Sequence, residues 1–100
     1  MVWRIEFEQS AAKDLKKIDP LQRRRVLTFL SERVSRLENP RSIGEALKGS
    51  ALGDFWKYRV GNYRIISSIE DEIVLILVLR VGHRKEIYRS LLKREKGHKK

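Results

Sequence analysis

The residues of this chain best suited to chemistry are three cations on one strand-turn-strand unit and a basic turn further on. In Phe55-Trp56-Lys57-Tyr58-Arg59-Val60-Gly61-Asn62-Tyr63-Arg64-Ile65, Gly61-Asn62 lies between runs of aromatic and β-branched residues. That pattern predicts a tight two-residue β-hairpin. The short loop sets Val60 opposite Tyr63, Arg59 opposite Arg64 and Lys57 opposite Ile66. Strand side chains alternate, so Trp56, Tyr58, Val60, Tyr63 and Ile65 take one face and Lys57, Arg59 and Arg64 the other. Like charges directly opposite across a sheet are destabilising, which points to a surface for a polyanion. The second cluster, Gly82-His83-Arg84-Lys85-Glu86-Ile87-Tyr88, follows a strand that must lie beside the hairpin. His83, Arg84 and Tyr88 are therefore expected to converge with Lys57, Arg59 and Arg64.

This set offers no spaced His and carboxylate ligands for a metal and no Ser with a paired His. It suits phosphodiester chemistry. Lys and Arg neutralise the charge that builds on phosphate in the transition state, and Tyr, His or Arg can move protons. A ribose 2′-OH can be the nucleophile, with neither a metal nor a covalent enzyme intermediate. The plain alternative for Lys57, Arg59 and Arg64 is a solvated strand face. For Tyr88 it is an aromatic packing the last helix to the sheet. Trp56, Tyr58 and Tyr63 are read as core.

The elements that position these residues follow from periodicity. Val2 to Phe7 alternates as a half-buried strand. Ser10 is placed to cap a helix over residues 11–18, with Leu15 and Ile18 inward. Asp19-Pro20 caps a second helix from Pro20 to about Leu37, whose apolar positions are Val26, Leu27, Leu30, Val34 and Leu37. Asn39-Pro40 ends it. Residues 40–53 read as a loop with Leu47 anchored in the core. After the hairpin, Glu70-Asp71-Glu72 turns into Ile73-Val74-Leu75-Ile76-Leu77-Val78-Leu79, a central strand apolar on both faces. Its far edge is free for the N-terminal strand. A last helix is expected from Lys85 to about Arg94. The order is β-α-α-β-β-β-α, an α+β fold with a small, mainly antiparallel sheet and two N-terminal helices on one face.

One hundred residues with 41% apolar content suit a single domain spanning 1–100 with one core. Cysteine is absent, which excludes disulfides, thiolate metal sites and a Cys nucleophile and suits a reducing cytosol. The start of the chain lacks a secretory layout, and no apolar run is long enough to span a bilayer, so no membrane association is expected. Lys and Arg number 23 against 13 acids, a net charge of +10. Eight of those bases lie in residues 84–100 with two acids, a tail expected to be frayed from about residue 95. A basic balance of this kind fits nucleic acid or another polyanion, or plain solubility. Arg23-Arg24-Arg25 looks like a motif, but successive helical residues fan out by about 100°.

From Val2 to Tyr88, the element order, Leu47-Lys48-Gly49, the hairpin, the acidic turn, the apolar strand and Val81-Gly82-His83-Arg84-Lys85-Glu86-Ile87-Tyr88 resemble the RelE toxins of the RelE/ParE superfamily. The resemblance implies the toxin of a type II toxin–antitoxin pair, acting as a metal-independent, ribosome-dependent endoribonuclease. Such toxins cut mRNA in the A site by 2′-OH attack on the scissile phosphate, without a cofactor. The implied partners are a cognate antitoxin, the ribosome and mRNA, with the toxin–antitoxin complex on its own operator DNA, all in the cytoplasm. By position, Lys57 and Arg59 match the residues that hold the RNA backbone, Arg64 the one that grips the scissile phosphate, Arg84 the general acid and Tyr88 the residue that helps activate the 2′-OH. Arg59 stands where the best-studied pattern has lysine; it keeps the charge but serves poorly as a base. His83 lies outside the implied set. It can shuttle a proton near neutral pH, stack on RNA or fill a turn. Two other functions fit the same fold: a ParE-like toxin that inhibits DNA gyrase without nuclease activity, and a catalytically inert basic binding module. On the ribosome, Arg23-Arg24-Arg25 would meet ribosomal RNA or simply solvent.

Overall fold

The computed structural model describes residues 2–47 and 55–87. Five strands form one sheet: β1 (Arg4–Phe7), β2 (Glu45–Ala46), β3 (Phe55–Val60), β4 (Tyr63–Glu70) and β5 (Leu75–His83). They lie in the order β1-β5-β4-β3-β2. β1 runs parallel to β5 and the other pairs are antiparallel. Helices α1 (Gln9–Lys17) and α2 (Pro20–Thr28) sit between β1 and β2 in sequence, giving the expected α+β class. The expected last helix lies beyond the described residues except at its start, where 84–86 form a turn.

The hairpin has the predicted register, with Val60 opposite Tyr63, Arg59 opposite Arg64 and Lys57 opposite Ile66. Gly61 takes φ +59 and Asn62 does not go positive, which is the glycine-first two-residue turn that matches strand twist. The central strand starts two residues later than its apolar run. Asp71–Ile73 form a 3-10 turn, Ile73 is exposed, and Val74 is left-handed at φ 52 before β5 begins. Composition alone did not separate that turn from the strand.

The main core lies on the helix side of the sheet. Ala11, Leu15, Val26, Leu30 and Val34 pack on Tyr58, Val60, Ile65, Ile76, Val78 and Val81. A smaller cluster of Leu47, Phe55, Ile66 and Ile87 covers part of the opposite face. The face carrying Lys57, Arg59 and Arg64 is thus not wholly polar: its far end is buried.

The second helix is longer than α2 but changes its winding. A π-helical segment spans Phe29–Arg33 and a 3-10 turn spans Val34–Arg36. Val26, Leu30 and Val34 are each four residues apart, and in a straight α-helix every four-residue step overshoots a turn by about 40°. The wider π turn absorbs that drift, and all three remain buried. The Val34 N–H is shared between the Leu30 and Phe29 carbonyls. The cost falls on Leu27, which is left exposed.

α1 closes the end of β5 that β1 does not reach. β1 pairs β5 only as far as Val78. Beyond it, Ser10 Oγ donates to the Leu79 carbonyl at 2.8 Å, and the Asp14 carboxylate accepts the Val81 N–H at 2.9 Å and the Arg80 guanidinium at 2.8 and 3.1 Å. Ser10 is therefore not the helix cap that its position suggested: Glu8 holds the cap position, without a side-chain bond. Asp19 does cap α2, accepting from the Leu21 and Gln22 N–H groups.

Candidate nucleic-acid cleft

The short strand β2 creates the site. It pairs with β3 only at Glu45–Lys57 and Ala46–Trp56, so among the described residues no strand covers the edge of β3 from Tyr58 onward. An open hollow of about 710 Å³ occupies that place, and Lys57, Arg59, Arg64 and Arg84 line it together. Arg84 is brought there by its backbone N–H, which donates to the Asn62 carbonyl in the hairpin turn at 2.8 Å. The basic turn after β5 is thereby tied to the turn between β3 and β4. The Arg64 guanidinium folds back on the same turn, donating to the Gly61 and Tyr63 carbonyls at 3.1 Å each.

Three further charged residues of the hollow were not singled out from the sequence: Arg33, Glu45 and Lys85. Lys85 follows Arg84 and was visible as part of the same motif. Glu45 sits on a strand too short to show periodicity, and it pairs with Lys57 Nζ at 3.0 Å. Arg33 closes the π turn, a feature without a simple composition signal. Gly44 sits beside them at φ +80, where a Cβ would stand 2.4 Å from the Lys57 carbonyl. Only a glycine lets the loop approach β3 that closely.

Tyr58 also lines the hollow but is committed to structure. Its hydroxyl donates to the Pro40 carbonyl, and burial pushes the phenol well above its ordinary range. The loop after the helix is held from its other side by Arg41, whose guanidinium makes two 2.9 Å bonds to Asp71. That pairing raises the Arg41 guanidinium and holds the Asp71 carboxyl below its usual value.

His83 does not join the cations. It stands opposite Tyr63 in the β4–β5 ladder, on the face away from Arg64. The two rings meet edge to face at 6.0 Å, and His83 Nδ1 accepts the Lys85 N–H at 3.3 Å. It lines a second hollow with Asp14, Asp19, Arg80 and Glu86. Tyr88 lies outside the described residues. Among the described residues no group of three His, Cys, Asp or Glu side chains is placed to hold a metal ion, and no helix is long and apolar enough to cross a membrane.

The sequence and the fold have parallels among known proteins. Residues 5–88 match the family model described as the ParE toxin of the type II toxin–antitoxin system parDE. The chain is 35% identical to the toxin RelG of Mycobacterium tuberculosis over 89 residues, covering 89% of this chain and 99% of the relative. It is 30% identical to the mRNA interferase toxin RelE of Escherichia coli over 96 residues, covering 94% and 98%. Among solved structures, the toxin–antitoxin complex RelBE2 of M. tuberculosis superposes with a TM-score of 0.76 at 30% identity, over 83% of this chain and 92% of that one. The isolated E. coli RelE toxin gives a TM-score of 0.63 at 25% identity, over 92% and 97%. The chain belongs to the RelE/ParE family of type II toxin–antitoxin toxins.

Proposed function

We propose that this toxin is an mRNA endoribonuclease acting on the ribosome, and that the cleft beside β3 is its active site. The observation that carries the reading is the convergence of Lys57, Arg59, Arg64 and Arg84 on one open hollow. Relatives at 30% identity are named mRNA interferases, which supports it. Arg64 and Arg84 flank the scissile phosphate and offset the negative charge that builds as the 2′-OH attacks phosphorus. The P–O5′ bond breaks, a 2′,3′-cyclic phosphate forms, and the leaving O5′ takes up a proton, with Arg84 assigned as its donor. The 2′-OH proton leaves toward a base, with the Glu45 carboxylate of the cleft assigned as its acceptor and Tyr88 assigned to help activate the 2′-OH. Lys57 and Arg59 hold the strand on either side. None of these steps calls for a metal.

A cleft of this charge needs covering when the toxin is silent. Toxin–antitoxin complexes among the structural neighbours support a cognate antitoxin as that cover. An acidic amphipathic segment laid over the cleft would satisfy it. The pair together would bind its operator DNA, and the toxin would act in the cytoplasm, where ribosomes are.

The family model is described as the ParE toxin, and a ParE-like toxin that inhibits DNA gyrase without nuclease activity is the second reading. Induction of the chain in cells separates the two. Codon-phased mRNA ends that disappear in Arg64→Ala support the nuclease. Gyrase-dependent DNA breaks without phased ends overturn it.

A further inference from the structure

The described arginines divide into two groups. Arg4 pairs with Glu6, Arg36 with Glu32, Arg41 with Asp71 and Arg80 with Asp14. Arg23 donates to the carbonyls of Leu15, Lys16 and Ile18 at the end of α1. These five have partners within the fold. The remaining six have no acid partner among the described residues. Arg33, Arg59, Arg64 and Arg84 line the cleft. Arg24 and Arg25 line a separate hollow on α2 with Leu21, Thr28, Phe29 and Val60. Phe29 lines both hollows, so the cleft and the α2 hollow meet at this half-buried residue, whose ring packs edge to face on Tyr58. Arg25 reaches over the hairpin turn toward Gly61 and, among the described residues, makes one side-chain bond, to Gln22 at 3.1 Å.

We propose that the RNA surface continues from Arg33 across Phe29 to Arg24 and Arg25 on α2, so that the helix holds the strand beyond the nucleotides that react. This rests on the reading of the cleft as an RNA site. The occupant is single-stranded RNA: a charged backbone for unpaired guanidinium groups, and nucleobases with apolar faces for Phe29 and the apolar lining next to it. The π turn contributes directly, because it carries both Phe29, the residue common to the two hollows, and Arg33, which lines the cleft.

The test is fluorescence anisotropy with two RNA probes, a trinucleotide and a single-stranded 12-mer, across a salt series. The wild-type chain is compared with Arg33→Ala, with Arg24→Ala/Arg25→Ala, and with Lys13→Ala as a control for lost charge on an exposed helix position away from both hollows. The expected result is several-fold weaker 12-mer binding in both arginine variants, and a salt slope shallower by about 0.7 for each phosphate that is no longer neutralised. Trinucleotide binding stays unchanged in Arg24→Ala/Arg25→Ala and weakens in Arg33→Ala, which lines the cleft itself, and Lys13→Ala matches wild type. Equal 12-mer affinity in wild type and variants overturns the extension while leaving the cleft reading intact. So does wild-type binding that is no tighter for the 12-mer than for the trinucleotide, or equal losses on both probes in Arg24→Ala/Arg25→Ala. Absence of salt-dependent binding to either probe in the wild type overturns the cleft reading and the extension with it.

Discussion

Arg59 and Arg64 are direct cross-strand partners on β3 and β4, and neither has an ion pair among the described residues. Opposed like charges at such a position cost roughly 0.2–1 kcal/mol. A bound polyanion removes that cost, so the pair is a local sacrifice of stability for binding. Arg59→Thr, which keeps a strand-favouring residue, is expected to raise Tm by about 1–5 °C in phosphate-free buffer. Added inorganic phosphate should raise the wild-type Tm more than that of the variant. Thermal unfolding followed by circular dichroism measures both, and an unchanged or lower variant Tm contradicts the argument.

Asp14 joins α1 to the end of β5 through the Val81 N–H and the Arg80 guanidinium. Its side chain is 12% exposed and that of Arg80 24%, so removing it strands two donors where water reaches poorly. Asp14→Ala should cost about 2 kcal/mol, and Asp14→Asn, which keeps an acceptor, should cost less. Urea titration reads this as a lower midpoint with an unchanged slope.

Gly44 is strained for any other residue. Its φ of +80 and the approach of the Lys57 carbonyl at 2.4 Å from a built Cβ leave no room for alanine. Gly44→Ala should cost about 1–3 kcal/mol and push β2 outward, separating Glu45 from Lys57. RNA cleavage should fall beyond what the stability loss explains when it is assayed well below the variant's Tm.

The Arg41–Asp71 clamp carries a pH signature. The Asp71 carboxyl titrates below its unfolded value because Arg41 holds its charged form. A lowered folded-state value contributes stability above the ordinary aspartate range and loses it as pH falls through the lowered value. Wild type should therefore melt above Asp71→Asn at neutral pH, and the two should converge in strong acid. Melting curves from pH 7 to pH 2 test the crossover region. A gap that persists undiminished at pH 2 would sink this assignment.

Much of this architecture can be read from local sequence, and the exceptions have physical causes. The hairpin register follows from a two-residue turn, which leaves one way to pair the strands. The central place of β5 follows from an apolar run on both faces. Val26, Leu30 and Val34 mark the buried side of the helix, but their spacing is that of any amphipathic helix and does not announce the π turn that carries Arg33. β2 escaped because two residues carry no period. Val74 escaped because a β-branched residue in a left-handed turn runs against its own preference. His83 was placed with the cations by proximity in sequence. The alternation that sets Arg64 opposite Gly82 sets His83 opposite Tyr63, on the other face, and that parity is legible from the residues once the ladder is continued.

Cleavage of a defined codon on purified ribosomes separates a cutting cleft from one that only binds. Ribosomes stalled with one mRNA and an empty A site are mixed with the chain, and new RNA ends are mapped by primer extension against time. The account predicts a single cut within the A-site codon, a 2′,3′-cyclic phosphate on the upstream fragment, and a rate reduced at least 100-fold in Arg64→Ala, about 2.7 kcal/mol of transition-state stabilisation. Intact mRNA with the wild-type chain, or cutting at the same rate by Arg64→Ala, would contradict it.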